Sequence, residues 1–448
     1  MSREMKLTNL DCIHQIPLNW NLMDIKYVSS LINGDRSNQY PSGNDIKDSG
    51  VNFITSENLH NLKLEIVENS KYITAEKYNS LRGAKLRIND LIFCLRGSLG
   101  ICSINTDLTE GTIASSLVVI RPNDKINPYY LNYSINSNLI KKQIDYWMNG
   151  SCAANLSAKD TREFKICVPP ISEQNQIVNY LNSKCEAIDQ AIQKQKDIVD
   201  KLMEYKQSTI TQAVTKGLNP NSEMKDSGVE WIGEIPQNWS IMRLKYAYDN
   251  SNGNAVKVGP FGSQLKSSSY VSSGEWVYNQ RTVLDENFET NDTFVSKEKA
   301  NSLSGFKVYP NDILITTRGT LGHIAIVPNN APSGILHPCI IRFRINSNVI
   351  NPRLLKYMFN NSDFFIKQIE LTNNSTTIDA LYSYNLCNLV FPVIPLSEQQ
   401  NIIDYLDSKC LAIDESIKRS NKIIQKLEEY KKALIYNAVT GKIDCRNA

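Results

Sequence analysis

The stretch SEQNQIVNYLNSKCEAID, Ser172 to Asp189, returns 225 positions later as SEQQNIIDYLDSKCLAID, Ser397 to Asp414. Extended to Thr215 and Thr440, the two copies share 23 identities over 44 positions without a gap. Whatever the first copy builds, the second must build again. Shorter matches precede them. IPLNWNLMDIKY (16–27) matches IPQNWSIMRLKY (235–246) at an offset of 219, NDLIFCLRGSLG (89–100) matches NDILITTRGTLG (311–322) at 222, and INPYYLNY (126–133) matches INPRLLKY (350–357) at 224. The offset only grows, so the elements keep their order and the differences are short loop insertions. A further match, KDSGV at Lys47 and Lys225, breaks the series and reads as chance.

The chain is therefore two copies of one unit, a variable region followed by a helix. The division reads as a first variable domain over residues 1–168, a long helix over 169–216, a linker over 217–232, a second variable domain over 233–393 and a second long helix over 394–448. The linker is marked by the Pro, Asn, Ser and Gly of LNPNSEMKDSGVEWIGEIPQNW. At 448 residues, two or three cores are the expected number.

Both helical copies carry an apolar stripe with the 4-3 spacing of a coiled-coil seam. In the first it runs Leu181, Cys185, Ile188, Ile192, Gln195, Val199, Leu202; in the second, Leu406, Cys410, Ile413, Ile417, Ser420, Ile424, Leu427. Gln195 and Ser420 are the single polar breaks, at equivalent positions, where a polar residue can fix register. Pro169 and Pro170 precede the first helix and Pro395 the second. Ser172 and Ser397 stand where N-caps would, Gln400 would complete a capping box, and Gly217 and Gly441 mark the exits. About 43 residues make a rod of roughly 65 Å. Each stripe either packs on its own variable domain or pairs with the other rod, and a rod longer than the domain favours pairing.

Hydrophobic residues make up 41% and charged residues 21%, so the chain should fold, and a net charge of +3 is compatible with nucleic-acid binding only if the cations are gathered on one surface. The variable loops NGDRSNQYPSGNDIKDSGVNFITSENL (33–59) and KVGPFGSQLKSSSYVSSGEWVYNQRTVL (257–284) are rich in Ser, Asn, Gln, Tyr, Arg and Lys. Such side chains can contact phosphates and base edges, and are also common on any surface. More pointed is the shared strand ending in Arg96-Gly97-Ser98 and Arg318-Gly319-Thr320. It is either a phosphate clamp or a turn closed for structural reasons. Short strands mixed with helical stretches such as NPYYLNYSINSNLIKKQIDYW indicate α+β domains.

Signs of catalysis are missing from the sequence. His14, His60, His323 and His337 lack metal-site spacing, VTGKID lacks the rest of a P-loop, and NPYY at Asn127 lacks the second proline of an adenine methyltransferase motif and becomes NPRL in the duplicate. The ten cysteines are scattered without C-x-x-C, pointing to reduced thiols. The opening residues have no apolar leader and no run approaches a membrane span, which suggests a cytoplasmic protein without membrane contact.

With these features assembled, the sequence resembles the specificity subunit of type I restriction-modification systems. The likeness is carried by PPISEQNQIVNYLNSKCEAID, PLSEQQNIIDYLDSKCLAID, the exits LMEYKQSTITQAVTKGL and LEEYKKALIYNAVTGKID, the lead-in SGVEWIGEIPQNW, and GPFGSQLK. The first lead-in departs from the pattern, reading CIHQIPLNW. The resemblance implies a pseudo-twofold α+β protein with two tandem target-recognition domains, separated by two long helices that form an antiparallel coiled coil. Its role would be to read a split, asymmetric double-stranded DNA target without catalytic activity of its own. Two modification (methyltransferase) subunits and the restriction (motor and nuclease) subunits would be partners. S-adenosylmethionine, ATP and Mg²⁺ would belong to them, none to this chain. A rod of roughly 65 Å exceeds one turn of B-DNA, about 34 Å, so half-sites on successive turns would be within reach. The candidate DNA contacts are Lys85, Arg87, Arg96 and Ser98 in the first domain, and Ser263, Gln264, Lys266, Tyr270, Arg318 and Thr320 in the second. A coiled-coil scaffold that does not read DNA, and a module of a fused methyltransferase or nuclease system, are the alternatives.

Overall fold

The computed structural model describes all residues except 1–2, 11, 61, 149–154, 252, 362–363, 373–379 and 447–448. The chain forms two compact units, Met1–Lys196 with Lys422–Ala448, and Asp197–Asn421. Each contains one variable region, the opening half of one long helix and the closing half of the other.

The long helices span Ile171–Lys216 and Leu396–Val439. Both start directly after a proline, whose carbonyl accepts the first helical bonds: Glu173 and Gln174 donate to Pro170 at 2.9 and 3.0 Å, Glu398 and Gln399 to Pro395 at 2.8 and 3.1 Å. Ser172 and Ser397 therefore lie inside the first turn and are not the N-caps expected from the sequence. Gln400 likewise closes no capping box; its amide donates to Asp404 one turn on. The repeated Ser-Glu-Gln has another use. The buried Gln174 donates to the Pro169 carbonyl and accepts from the Asn127 N–H at 2.7 Å, and Gln399 does the same with Ile394 and Asn351. Each long helix is thereby fastened to the short helix that Asn127 or Asn351 caps, Pro128–Ile135 or Pro352–Asn360. The exits are Gly217 (φ 71°) and Gly441 (φ 73°), left-handed positions that glycine occupies without strain.

The first unit is built on a six-stranded sheet ordered Ser29–Asn33, Leu117–Pro122, Leu91–Cys94, Cys102–Ile104, Leu62–Leu64, Leu59–His60. Leu91–Cys94 is wholly buried, as a central strand covered on both faces must be. A three-stranded sheet, Thr112–Ile113, Val51–Ile54 and Lys71–Ile73, stands beside it. The second unit repeats this plan with a four-stranded sheet centred on Ile340–Phe343 and Ile313–Thr316 and a five-stranded sheet centred on Glu275–Tyr278. Residues 217–232 contain a strand, Met224–Asp226, paired with Glu234–Pro236 as Met5–Leu10 pairs with Ile13–Pro17.

In the first unit, one core joins Trp20, Phe93, Tyr130, Phe164, Leu181, Cys185 and Ile188 to Leu434, Ile435, Ala438 and Val439 from the end of the second long helix. In the other, Trp239, Phe343, Phe365, Leu406 and Cys410 join Ile210, Ala213 and Val214 from the end of the first. The helices run antiparallel within each unit. In the first, Tyr130 Oη donates to the carbonyls of Cys167 (2.8 Å) and Val439 (3.2 Å), bringing the end of one helix to the start of the other, while Lys431 pairs with Asp189 at 2.6 Å. In the second, Lys206 pairs with Asp414 at 2.8 Å, the same pair moved by the repeat offset. Along the stripe Leu181, Cys185, Ile188, Leu406, Cys410, Ile413 and Ser420 are buried. Ile192, Gln195, Val199, Leu202, Ile417, Ile424 and Leu427 are half-buried.

Candidate nucleic-acid interface

The central strand of each sheet delivers the Arg-Gly-hydroxyl turn at its C-terminal end. After Cys94 the chain leaves the core through Leu95 and exposes Arg96, Gly97 and Ser98; after Thr316 it leaves through Thr317 and exposes Arg318, Gly319 and Thr320. Thr316 Oγ1 donates to the Thr320 carbonyl at 2.6 Å, and Gly322 N–H returns to Thr316 at 3.0 Å, so the turn is fixed from below while its polar tips face solvent. Among the described residues neither Arg96 nor Arg318 makes an ion pair.

Neighbouring loops gather at the same rim. In the first unit Leu95 N–H donates to the Ser116 carbonyl at 2.9 Å, and Gly34 lies so close beneath the carbonyls of Ile113 and Ala114 that a Cβ there would sit 2.7 Å from both oxygens. In the second, Thr317 N–H donates to Cys339 at 3.2 Å, and any side chain on Gly259 would collide with the His337 carbonyl. Gly34 and Gly259 hold equivalent places in the two sheets, each directly after the strand paired to an inner strand, Ser29–Asn33 beside Leu117–Pro122 and Val256–Val258 beside Ile340–Phe343. Each lets a variable loop, beginning Asp35-Arg36 or Pro260-Phe261, cross onto the rim that carries Arg96 or Arg318.

Lys85 and Arg87 are placed elsewhere. Asn33 accepts from the Ala84 N–H at the Arg96 end of the sheet, and from there the chain runs toward Asp90 at the other end. The Lys85 ammonium donates to the Tyr78 carbonyl and lies 3.6 Å from the centre of its ring, and burial lowers its pKa. Arg87 is exposed at the opposite end, where its N–H bonds the buried Asp90 carboxylate at 2.8 Å and Arg121 pairs with Asp90 at 2.7 Å. Tyr309, Asp312 and Arg344 repeat this arrangement. It is a structural turn shared by both copies.

In the second unit Ser263 and Lys266 are exposed on the Phe261 loop. Gln264 is also exposed but closes its own turn, its Oε1 accepting from the Phe261 N–H at 3.1 Å. Tyr270 is half-buried in the strand paired to Phe294–Val295, and burial raises the pKa of its hydroxyl. Sequence reasoning missed Phe261, 79% exposed at the loop tip, and in the first unit Arg36, Asn38, Gln39 and Arg82. No aligned string reaches these residues; the equivalence of the two loops shows in the sheets, where each follows the strand paired to an inner strand.

The NPYY segment is a helix start, with Asn127 Oδ1 accepting from Tyr129 and Tyr130 and the Tyr130 hydroxyl buried against Cys167 and Val439. His337 is also structural: its Nδ1 accepts from the Cys339 N–H, and burial lowers its pKa. Among the described residues no group of three or more His, Cys, Asp or Glu is placed to hold a metal, and no helix is long and apolar enough to cross a membrane.

The family model described as "Type I restriction modification DNA specificity domain" matches residues 17–198 and 262–429. The chain is 26% identical over 348 residues to the type I restriction enzyme MjaVIII specificity subunit of Methanocaldococcus jannaschii, covering 75% of this chain and 76% of that one. It is 18% identical over 441 residues to the EcoKI specificity subunit of Escherichia coli, covering 96% and 90%. A solved chain from a study of complex assembly and conformational transition of the type I R-M system superposes with a TM-score of 0.71 at 18% identity, covering 96% of this chain and 99% of that one.

Proposed function

The chain belongs to the type I restriction-modification DNA specificity family, and we propose that it is the DNA-reading subunit of such a system, without a catalytic site of its own. The observation that carries this reading is the repeated rim: two units of one plan, each presenting an exposed arginine and hydroxyl on a fixed turn, beside loops that differ between the copies. Conserved framework with divergent polar loops is what reading two different half-sites requires, since phosphate contacts position a protein and loop side chains select bases. Arg96, Ser98, Arg318, Thr320, Ser263 and Lys266 are the contacts the geometry favours. Lys85, with its ammonium held by Tyr78, is the least available of the candidates.

The exposed outer faces of the two long helices are the surface for two methyltransferase subunits, with motor and nuclease subunits joining them. S-adenosylmethionine, ATP and Mg²⁺ act in those partners, in the cytoplasm, where the DNA is. The test is a gel-shift with the chain assembled with its methyltransferase partners, using random and target-selected duplexes. A DNA reader shifts the selected duplex at salt concentrations that release the random one. A scaffold that does not read DNA shifts both alike.

A further inference from the structure

The loop after Gly34 is held from both ends. Asp35 is buried, and its carboxylate accepts from the Ser37 N–H and the Arg82 N–H, each at 2.7 Å, tying the loop to the segment that follows the helix Ala75–Ser80. Any side chain on Gly83 would collide with the Asp35 backbone, so the two segments touch along their main chains. At the far end Tyr40 packs edge-on against Phe53, ring centres 5.9 Å apart, within a small core of Phe53, Ile73, Leu81 and Ala114. Between these anchors Gln39 N–H bonds Ser37 Oγ at 3.1 Å and Tyr40 N–H bonds the Ser37 carbonyl at 3.1 Å. The result is an exposed polar hollow lined by Ser37, Asn38, Gln39, Ser80 and Arg82. The two serine hydroxyls are used within it, Ser80 Oγ donating to the Lys77 carbonyl at 2.7 Å, and the side chains of Asn38, Gln39 and Arg82 are exposed to solvent.

A preformed concavity carrying two amides and a guanidinium is suited to base edges. Asn and Gln can bond adenine N6 and N7 together, and Arg can bond guanine O6 and N7. A rigid backbone keeps the ordering cost of such contacts low. The hollow lies at the Arg96 end of the sheet, since Asn33 pairs with Val118 and Cys94 with Leu117. The second unit has Pro260 at the position of Asp35 and presents Phe261, Ser263 and Lys266 instead.

We propose that Asn38, Gln39 and Arg82 are the base-reading residues for the first half-site, and that Asp35 is the positioning residue that holds them together. This rests on the DNA-reading function proposed above.

The test uses the full chain assembled with its methyltransferase partners, a randomised duplex library, and sequencing of the bound fraction. Wild type should select a split sequence. Asn38→Ala with Gln39→Ala, and separately Arg82→Ala, should lose about tenfold or more of the preference at positions in one half-site and leave the other half unchanged. Arg82→Lys should keep overall affinity without restoring that preference, because a point charge replaces the fork. Asp35→Asn should blur the same positions, with the second half-site intact. Unchanged preferences in both halves, or full rescue by Arg82→Lys, would overturn the proposal while leaving the DNA-reading function standing. A wild-type complex that selects no sequence would overturn both.

Discussion

The Trp20 indole N–H donates to Glu173 Oε2 at 3.0 Å, and 219 and 225 residues on, Trp239 donates to Glu398 Oε2 at 3.1 Å. Each tryptophan comes from the lead-in of its unit and each glutamate from the first turn of a long helix. At the six-membered edge of each ring sits the exit glycine of the other long helix, Gly441 at Trp20 and Gly217 at Trp239. One ring thus gathers the lead-in, one helix start and one helix end, and does so twice.

Glu173→Ala removes the acceptor from a buried indole and from Arg3, which pairs with the same carboxylate at 2.5 Å. The loss should be about 2 kcal/mol, the usual cost of orphaning buried polar groups. Denaturant unfolding followed by tryptophan fluorescence checks it.

Gly441→Ala and Gly217→Ala both force alanine into left-handed backbone, at a cost of about 1 kcal/mol or more. At Gly441 the new methyl would also strike the Pro17 ring, whereas at Gly217 the nearest atom of Trp239 is 3.3 Å away. Gly441→Ala should therefore lower the melting temperature more.

Reversing the charge of Lys431 brings two anions together with Asp189, and the swap Lys431→Asp with Asp189→Lys should recover most of the loss. Because Asp189 is more than half exposed, the coupling should be only about 0.5 kcal/mol. A double-mutant cycle in low and high salt measures it.

Arg96→Ala and Arg318→Ala should weaken DNA binding by the assembled complex and reduce the salt dependence by about one phosphate contact each, with thermal unfolding unchanged. Lys85→Ala should do the reverse, lowering stability by about 1 kcal/mol through the lost contact with Tyr78 and leaving affinity near wild type.

The Asp35 carboxyl is held down to about 2, chiefly by Ser37, against an ordinary value of 3.8. A depressed carboxylate stabilises the fold fully above its unfolded pKa, and the contribution is lost as pH falls from about 4 to about 2. Protection of the Ser37 and Arg82 amides from hydrogen exchange should persist at pH 5 and fall across that window. In Asp35→Asn it should be reduced throughout.

The duplication made much of this legible in advance: two α+β domains, two long helices, the glycine exits and the Arg-Gly-hydroxyl turns all follow from aligned strings. What the strings could not show is which faces meet. Glu173 reads as a solvent residue of a first helical turn until Trp20, 153 positions away, closes on it. Lys85 sits near Arg96 in sequence, yet the chain between Ala84 and Asp90 runs away from the rim. The strand Met224–Asp226 did have a signal, since Glu4-Met5-Lys6 recurs as Glu223-Met224-Lys225 at the offset of 219. That match is only three residues long, and the Pro, Asn, Ser and Gly around it read as a linker.

The most direct test of a two-half DNA reader is to map modified adenines in the DNA of a host that lacks other adenine methyltransferases and expresses this chain with its methyltransferase partners. A single split motif, two defined half-sites around a spacer of fixed length, is the predicted result. Unmodified DNA despite an assembled complex, or methylation at one uninterrupted motif, would contradict it.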